Sequence, residues 1–231
     1  MTIELVLFSM YNYTMNNEQP TPFDYNKAQN EATGWFDDYY KEAGKQIDTI
    51  AWAKGETNPF LQEYLDNFHG TPTKAIVIGC GLGDDAFALY VAGFDVTAID
   101  ISPEAINWAK ERFDGAEIDF RVADLFDLPE ELLGESDFVF EAFTIQSLPL
   151  ALRDRVITAI TSLMTPDAKV LAVCNAKLDH EKFDGPPWPL TFNELRLFTM
   201  KECRELEFSI FENESELSNL KVRAIFQKES T

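Results

Sequence analysis

Short apolar runs alternate with longer amphipathic stretches through most of this 231-residue chain. Runs with the length and β-branched content of strands buried on both faces of a sheet span residues 75–78, 94–99, 118–122, 137–143 and 168–174. Helices are predicted between them, at residues 84–91, from Ser102 onward and at 150–164. Strands that alternate with helices in this way predict a doubly wound, mostly parallel α/β sheet.

The end of the chain departs from this alternation. Residues 205–211 and 220–226 predict two strands joined by a polar turn, which would complete a seven-stranded sheet with an antiparallel C-terminal hairpin. Ahead of this hairpin, the Thr-Phe-Asn-Glu run at 191–194 is a capping box, which predicts a further helix start.

The beginning of the chain also stands apart from the core. An aromatic and acidic segment from Trp35 onward precedes an amphipathic helix at 59–68. The chain therefore divides into a flexible N-terminal tail at 1–32, a helical cap at 33–70 and a core at 71–231. One hypothesis is that translation starts at Met10 or Met15, because the first residues resemble nothing that follows.

The first core strand runs directly into a glycine loop with glycine at positions 79, 81 and 83. These glycines would let the chain turn sharply and let a ligand approach bare backbone. Asp100 ends the second strand, where an acid can bind both hydroxyls of an adenosine ribose. The core is therefore Rossmann-like and is predicted to bind a nucleotide-like cofactor. Cys80, inside the loop, is interpreted as a small space-filling residue and not a nucleophile.

The residues after the loop select among such cofactors. A dinucleotide fingerprint would need glycine at position 84, where this chain has Asp84 followed by Asp85. A pyrophosphate bound at the helix N-terminus would be repelled by these carboxylates, because both groups are negatively charged. S-adenosylmethionine carries an ammonium and a sulfonium, so the same acids would favour it. The alternative is that both acids only complement the helix dipole, which is worth about 0.3–1 kcal/mol each.

Charge and composition exclude several classes of partner. The chain has 40 acids and 19 bases, a formal net charge of −21, so DNA, RNA or an anionic membrane would be repelled. The three cysteines form no CxxC pair, which predicts free thiols in the cytoplasm and no metal site. No apolar stretch is long enough to span a membrane, and the N-terminus carries no basic residue typical of a secretory signal.

Over residues 33–228 the chain resembles the class I S-adenosylmethionine-dependent methyltransferases, through the glycine loop, Asp100 and Asp124. It is most similar to the thiopurine, thiol and halide methyltransferase group, through the aromatic segment at Trp35, the Gly-Cys-Gly of the loop and the Asp-Gly-Pro-Pro-Trp run at 184–188. It departs from that group at Ala142, where a basic or tyrosyl residue often follows the acid. The resemblance implies cofactor contacts at Gly79, Cys80, Gly81, Gly83, Asp84, Asp100, Ile101, Asp124, Leu125 and Glu141.

Methyl transfer is an in-line displacement, so positioning and water exclusion are expected to matter more than covalent catalysis. Glu141 and His180 are candidate bases. Glu141 could instead hold the cofactor's amino group or support a loop, and His180 could instead be a solvated loop residue. Gln146 is expected to orient the acceptor or to satisfy backbone groups. The predicted acceptor-binding side chains are Trp35, Tyr39, Phe143 and Trp188. Trp188 is also a candidate lid over the methyl donor, and its alternative role is to plug the edge of the core.

The sequence thus predicts an enzyme that methylates a small molecule, for instance a thiol or another soft nucleophile, and that exists as a monomer or weak homodimer. One alternative is an NAD(P)-dependent oxidoreductase, which would explain the βαβ unit and Asp100 but neither Asp84 nor the terminal hairpin. The other is a catalytically silent, methyltransferase-like binding module, which would keep the fold and lose cofactor residues.

Overall fold

The computed structural model of the protein describes residues 32–215 and 218–230. The predicted tail and the hypothesis of a start at Met10 or Met15 therefore lie outside the described residues, apart from Ala32. The strands are β1 (Lys74–Ile78), β2 (Asp95–Asp100), β3 (Ile118–Val122), β4 (Ser136–Ala142), β5 (Met164–Ala176), β6 (Cys203–Ser215) and β7 (Ser218–Lys228). The α-helices are α1 (Trp35–Ala43), α2 (Pro59–Asp66), α3 (Asp84–Val91), α4 (Pro103–Arg112), α5 (Arg153–Ser162) and α6 (Phe192–Leu195).

The strands form one seven-stranded sheet in the order β3-β2-β1-β4-β5-β7-β6. The five strands from β3 to β5 are parallel, and β7 runs antiparallel to both β5 and β6. The predicted fold class is confirmed, including the antiparallel C-terminal hairpin. The strand order reverses between β1 and β4, and such a switch point is where ligands bind at the carboxyl ends of the strands.

Each face of the sheet carries its own apolar core. Ile76 and Val139 face a cluster that includes the inner side of α5, whereas Val77 and Phe138 face a cluster that includes Leu61 of α2. The central strands β1 and β4 are buried on both faces, as their unbroken apolar runs predict, whereas the edge strand β3 is only partly buried. Burial of each large apolar side chain contributes about 1.5–3 kcal/mol to folding.

The helix α1 is attached to the N-terminus of α4 by a polar contact. Ser102 caps α4 by accepting a hydrogen bond from the Ala105 N–H at 3.0 Å. Asp37 of α1 in turn accepts from the Ser102 hydroxyl at 2.7 Å and from the Glu104 N–H at 2.9 Å. A third apolar cluster, with Tyr40 and residues of α4, packs beneath this contact. The cap is therefore held beside the end of β2.

The boundaries differ from the predictions where the backbone pattern is irregular. The helix predicted at 150–164 is divided into a 3₁₀ turn and α5, and β5 begins earlier than residue 168. The pairing of β5 with β4 is irregular near Pro166, which cannot donate to the ladder, and Asp167, which has a φ of 64°. Among the described helices, none has both the length and the apolar content that a membrane span requires.

Candidate active site

The loops that follow the parallel strands meet at the switch point between β1 and β4. We call residues 79–83, Asp100 and Asp124 the glycine-loop side, since they follow β1, β2 and β3. We call residues 141–147, Trp188 and Lys221 the Trp188 side, since they surround the ends of β4, β5 and β7. Most of the residues selected from the sequence lie on these two sides.

The three loop glycines all adopt left-handed backbone conformations, with φ of 60° at Gly79, 50° at Gly81 and 86° at Gly83. A Cβ at Gly79 would lie 2.4 Å from the Thr144 hydroxyl oxygen, and one at Gly83 would lie 2.9 Å from the Phe120 ring. Both distances are too short for a side chain. The positive φ values agree with the sharp turn predicted from the sequence. At Gly79 and Gly83 glycine is also needed because a side chain would collide with protein atoms, which was not predicted.

Asp100 joins the glycine loop to the end of β2. Its Oδ2 accepts a hydrogen bond from the Gly81 N–H at 2.9 Å, and its Oδ1 accepts from the Ser102 N–H at 2.9 Å. Burial raises the pKa of Asp100, and the backbone N–H groups of Ser102, Gly81 and Ile101 oppose that rise. A carboxylate can accept further hydrogen bonds. An acid fixed by backbone at the end of β2, beside a loop of bare backbone, fits an adenosine ribose.

Asp84 has a partner that was not foreseen from the sequence. Both of its carboxylate oxygens accept hydrogen bonds from the Arg112 guanidinium, at 2.6 and 2.7 Å. Arg112 also donates to the Leu82 carbonyl at 2.6 Å. The pair balances the charge of Asp84 and joins α3 to α4, so repulsion of a phosphate depends less on Asp84 than the sequence indicated. Its contact with a cofactor stays a prediction.

Asp85 faces the cap. Its Oδ1 accepts a hydrogen bond from the Asn58 N–H at 2.7 Å, just before α2. Burial raises the pKa of Asp85 to about 6, with the Asn58 N–H opposing the rise. The segment before α2 is therefore tied to the start of α3.

The other predicted residues of the glycine-loop side have local roles. Burial, followed by the charge of Asp100, raises the pKa of the Cys80 thiol well above its ordinary value, which fits a space-filling residue. Asp124 accepts a hydrogen bond from the Phe126 N–H at 2.8 Å in the turn after β3. Leu125 packs against the core, and Ile101 is half-buried. Their contacts with a cofactor stay predictions.

An aromatic cluster on the cap covers the glycine loop, and it consists of Trp35, Phe36, Tyr39, Tyr40 and Trp52. The indole N–H of Trp52 donates to the Tyr40 hydroxyl at 2.8 Å. That hydroxyl lies 3.0 Å from where a Cβ of Gly81 would be. Tyr40 was not assigned to the site from the sequence, although it adjoins the predicted Tyr39. Trp35 and Tyr39 therefore belong to a cluster that contacts the glycine-loop side.

Glu141 is fully buried, with 0% of its surface exposed. Its Oε1 accepts a hydrogen bond from the Ile145 N–H at 2.9 Å, inside the turn that follows β4. Its Oε2 has no hydrogen-bond partner among the described residues. Burial raises the pKa of Glu141 to about 7, with the N–H groups of that turn opposing the rise. The side chain supports the turn, and one oxygen remains able to accept a further hydrogen bond.

Phe143 lies at the mouth of the site, directly after β4. It has a φ of 64°, which is uncommon for a residue with a side chain. Its N–H donates to the Val173 carbonyl at 2.9 Å, and its carbonyl accepts from the Ser147 hydroxyl at 2.8 Å. These bonds fix the Phe143 backbone, and the Lys221 ammonium lies 5.4 Å from the centre of its ring. Lys221 was not anticipated from the sequence.

Gln146 joins three segments of the Trp188 side through backbone groups. Its side-chain oxygen accepts a hydrogen bond from the Asn175 N–H at 2.7 Å, and its carbonyl accepts from the Trp188 N–H at 2.7 Å. The side chain is 3% exposed. Gln146 therefore satisfies backbone groups, the second of the two roles considered for it, and orientation of an acceptor stays a prediction.

Trp188 is held from its other side by a buried charge. Arg153, which is 2% exposed, donates to the Trp188 carbonyl at 2.6 Å and forms an ion pair with Glu194. Glu194 also closes the capping box by accepting from the Thr191 N–H at 2.7 Å. A Cβ at Gly185 would lie 2.5 Å from the indole ring, so the loop packs tightly on the tryptophan. No pattern in the sequence singled out Arg153.

His180 is exposed on the segment between β5 and α6. None of the hydrogen bonds that hold the ends of β4 and β5 involves it in the part of the chain that the structure describes. The geometry thus favours the alternative of a solvated loop residue over that of a base.

Comparisons with known proteins show which proteins this chain is similar to. The family model described as thiopurine S-methyltransferase matches residues 42–229. A thiopurine S-methyltransferase from Nitrosospira multiformis is 22% identical over 174 residues, which cover 68% of this chain and 78% of that protein. A thiocyanate methyltransferase 1 from Brassica oleracea is 25% identical over 142 residues, 59% of this chain and 61% of that protein.

A similar fold is seen in the crystal structure of the N-methyltransferase NodS from Bradyrhizobium japonicum in complex with S-adenosyl-L-homocysteine. The TM-score is 0.66 at 17% identity, and the match covers 84% of this chain and 100% of that one. At this identity the likeness concerns the fold alone.

Proposed function

Because the chain belongs to the thiopurine S-methyltransferase family, we propose that it methylates a small molecule at a thiol or another soft nucleophilic atom. Family membership makes it an S-adenosylmethionine-dependent methyltransferase of small molecules. Thiopurine and thiocyanate, in the names of two relatives, both denote sulfur compounds. The structural observation that carries the methyltransferase assignment is the cofactor-binding geometry, in which the Gly81 and Ser102 N–H groups hold the Asp100 carboxylate beside the glycine loop.

We assign cofactor binding to three carboxylates that the structure has already fixed, two on the glycine-loop side and Glu141 on the Trp188 side. Asp100 would accept from the ribose hydroxyls, and Asp124 from the adenine amine. The free Oε2 of Glu141 is a candidate acceptor for the cofactor's ammonium, since a buried oxygen without a partner is costly. Because each carboxylate is held by backbone N–H groups, little reorganisation accompanies binding.

When bound, S-adenosylmethionine supplies an electrophilic methyl: a lone pair of the acceptor sulfur forms a new S–C bond while the sulfonium–methyl bond breaks and its electrons stay on the cofactor sulfur. The protein's task is to orient the acceptor and to exclude water. We assign this task to the Phe143 ring and to Trp188, both of which are held at their backbone.

A soft acceptor also fits the ionisable groups of the Trp188 side. Glu141 is fully buried, and its carboxyl group is turned into the loop after β4. A thiol has a pKa of about 8.5, so part of it is ionised near neutral pH without a dedicated base. An alcohol or a protonated amine would depend more strongly on a general base.

The test is a competition among acceptors. The purified protein is incubated with methyl-labelled S-adenosylmethionine and equal amounts of small thiols, alcohols and amines, and the products are identified by mass spectrometry. We expect the methyl group on sulfur. Methylation of alcohols or amines only would overturn the proposed acceptor class.

Ligand binding separates this function from the alternatives. A ligand present at 100 times its Kd stabilises the folded chain by about 2.7 kcal/mol, so thermal unfolding with S-adenosylhomocysteine or NAD is a rapid screen. Of these two ligands, we expect only S-adenosylhomocysteine to raise the Tm. Stabilisation by NAD alone would favour an oxidoreductase, and stabilisation by neither would favour a silent binding module.

A further inference from the structure

Lys221 places a positive charge at the carboxyl ends of the parallel strands. It lies near the start of β7, directly opposite Asn175 near the end of β5. Its ammonium lies 5.4 Å from the centre of the Phe143 ring, at the mouth of the site. Because β7 is antiparallel to β5, a residue near its beginning reaches the same edge of the sheet as Phe143. Lys221 therefore belongs to the Trp188 side.

A second lysine, Lys54, is near enough for its charge to act on Lys221. The segment that carries Lys54 leads into α2, which packs on the same part of the sheet: Phe60 and Phe211 have ring centres 4.8 Å apart, and Arg223 forms an ion pair with Glu63 at 2.8 Å. The Asn58 N–H bond to Asp85 fixes the segment on its other side. Burial, together with the neighbouring charge of Lys54, lowers the pKa of Lys221.

This pair of like charges has no counter-charge in the described ranges. Neither Lys54 nor Lys221 forms an ion pair there, whereas several other lysines pair with carboxylates, namely Lys41, Lys45, Lys74 and Lys201. Some other lysines of the described ranges, such as Lys110 and Lys182, also form no ion pair. What distinguishes Lys54 and Lys221 is that their two positive charges interact, with Lys221 beside the Phe143 ring. Two neighbouring ammonium groups repel each other, and the repulsion is relieved when an anion binds between them.

We propose that Lys54 and Lys221 bind an anionic group of the methyl acceptor beside the Phe143 ring. This inference rests on the proposed function and narrows its acceptor to small molecules that carry a negative charge, such as a thiol with a carboxylate. The ring would contact the apolar part of the acceptor, and the ammonium groups would bind its charged end. The acids of the glycine-loop side would disfavour the same anion at the cofactor position.

The test compares two thiols of equal size that differ in charge, 4-(mercaptomethyl)benzoate and 4-(mercaptomethyl)benzamide. Their affinities are measured by calorimetry with S-adenosylhomocysteine present, and their methylation is measured with S-adenosylmethionine. We expect the wild-type chain to bind the carboxylate about tenfold more tightly than the amide, the scale of one hydrogen bond to a charged group. Lys221→Met and Lys54→Met keep the aliphatic chain and remove the charge.

Each single variant is expected to weaken carboxylate binding severalfold and to leave amide binding nearly unchanged, and the double variant is expected to lose the preference. Lys110→Met is the matched control, because Lys110 is exposed on α4 and its loss changes the net charge equally. Circular dichroism and thermal unfolding establish that each variant is folded.

The lysine site would be overturned by any of three results: the wild-type chain binds the two thiols equally, it binds neither, or the double variant keeps the preference for the carboxylate. The proposed function fails on a different result, namely the absence of methyl transfer to any thiol. One further result separates the two proposals: the double variant methylates the amide thiol at an undiminished rate, and the wild type shows no preference between the thiols. This result would be consistent with the proposed function and would overturn only the lysine site.

Discussion

The glycine-loop side and the Trp188 side of the site are built in different ways. On the glycine-loop side, each acid is held by a nearby N–H group or by a cation: Asp100 by Gly81 and Ser102, and Asp84 by Arg112. On the Trp188 side, charges are buried or lack a counter-charge: Glu141 keeps a free oxygen, and Lys221, beside the Phe143 ring, forms no ion pair within the described residues. One side is electrostatically complete before any ligand binds, and the other is not.

This difference teaches where specificity can reside. A side whose polar groups are already satisfied changes little when a ligand binds, which suits a cofactor common to a whole family. A side with two lysines that form no ion pair in the described residues depends on the charge that the ligand brings, which suits the choice of acceptor. We test the contrast below by changing one group at a time on each side.

The largest effect is expected at Arg153. The variant Arg153→Met leaves Glu194 and the Trp188 carbonyl without their donor, and the loss of one partner from a buried ion pair typically costs about 3–5 kcal/mol. We expect a decrease of at least about 3 kcal/mol in the free energy of unfolding, measured with urea. Arg196→Met is a control on a more exposed ion pair with Glu205. A cost below about 1 kcal/mol, the scale of a surface pair, would mean that Arg153 does not support Trp188.

Glu141 is expected to give the Trp188 side a distinct pH dependence. Its pKa is about 7 when folded and 4.5 as an ordinary glutamate. Below pH 4.5 Glu141 is protonated in both the folded and the unfolded chain. Between pH 4.5 and 7 only the unfolded chain releases this proton, so the free energy of unfolding falls as the pH rises. Above pH 7 both states are ionised and the fall levels off. The fall attributable to Glu141 is about 3 kcal/mol.

Glu141→Gln removes this titration, so urea unfolding between pH 4 and 8 should show a smaller decline for the variant. Burial also raises the pKa of Asp85, to about 6, and Asp85→Asn identifies that separate contribution. If the free energy of unfolding depended on pH in the same way in the wild type and in Glu141→Gln, Glu141 would not be a buried group that stays largely neutral up to about pH 7.

Much of the glycine-loop side could be predicted because its helices, strands and glycine loop each have a local sequence pattern. The predicted helix at 84–91 and the strand at 118–122 coincide with α3 and β3. Asp100 was found from its position at the end of a strand, and the structure places it against Gly81. Apolar periodicity and glycine spacing contain enough information for such elements.

The Trp188 side was predicted less completely, because its contacts join distant segments. Arg153 holds a carbonyl at Trp188, and Lys221 reaches Phe143 only through the antiparallel placement of β7. Glu141 was recognised as a strand-end acid, but which way its carboxyl group turns depends on the register of β4 in the sheet. No local pattern encodes these relations.

The contrast between the two sides predicts that a substitution at Asp100 weakens binding of the cofactor. In Asp100→Asn the amide nitrogen cannot accept the hydrogen bond of one of the two N–H groups, and the charge that would face the ribose is lost. We expect S-adenosylhomocysteine to bind more weakly by about 1.5–3 kcal/mol, measured by calorimetry. The matched control is Asp114→Asn, an exposed acid just after α4. Unchanged affinity in Asp100→Asn would mean that the ribose lies elsewhere.

The smallest effect is expected at Tyr40, where the cap meets the glycine loop. Tyr40→Phe removes the acceptor of the Trp52 indole N–H, and Trp52 is partly exposed, so water can replace part of the bond. We expect a loss of about 1 kcal/mol in stability, the usual net worth of such a bond, with little change in the affinity for S-adenosylhomocysteine. Tyr90→Phe, a half-buried tyrosine on α3, serves as the control. If Tyr40→Phe instead weakened cofactor binding strongly while Tyr90→Phe did not, the hydroxyl would be a ligand contact, and the glycine-loop side would be incomplete without its ligand after all.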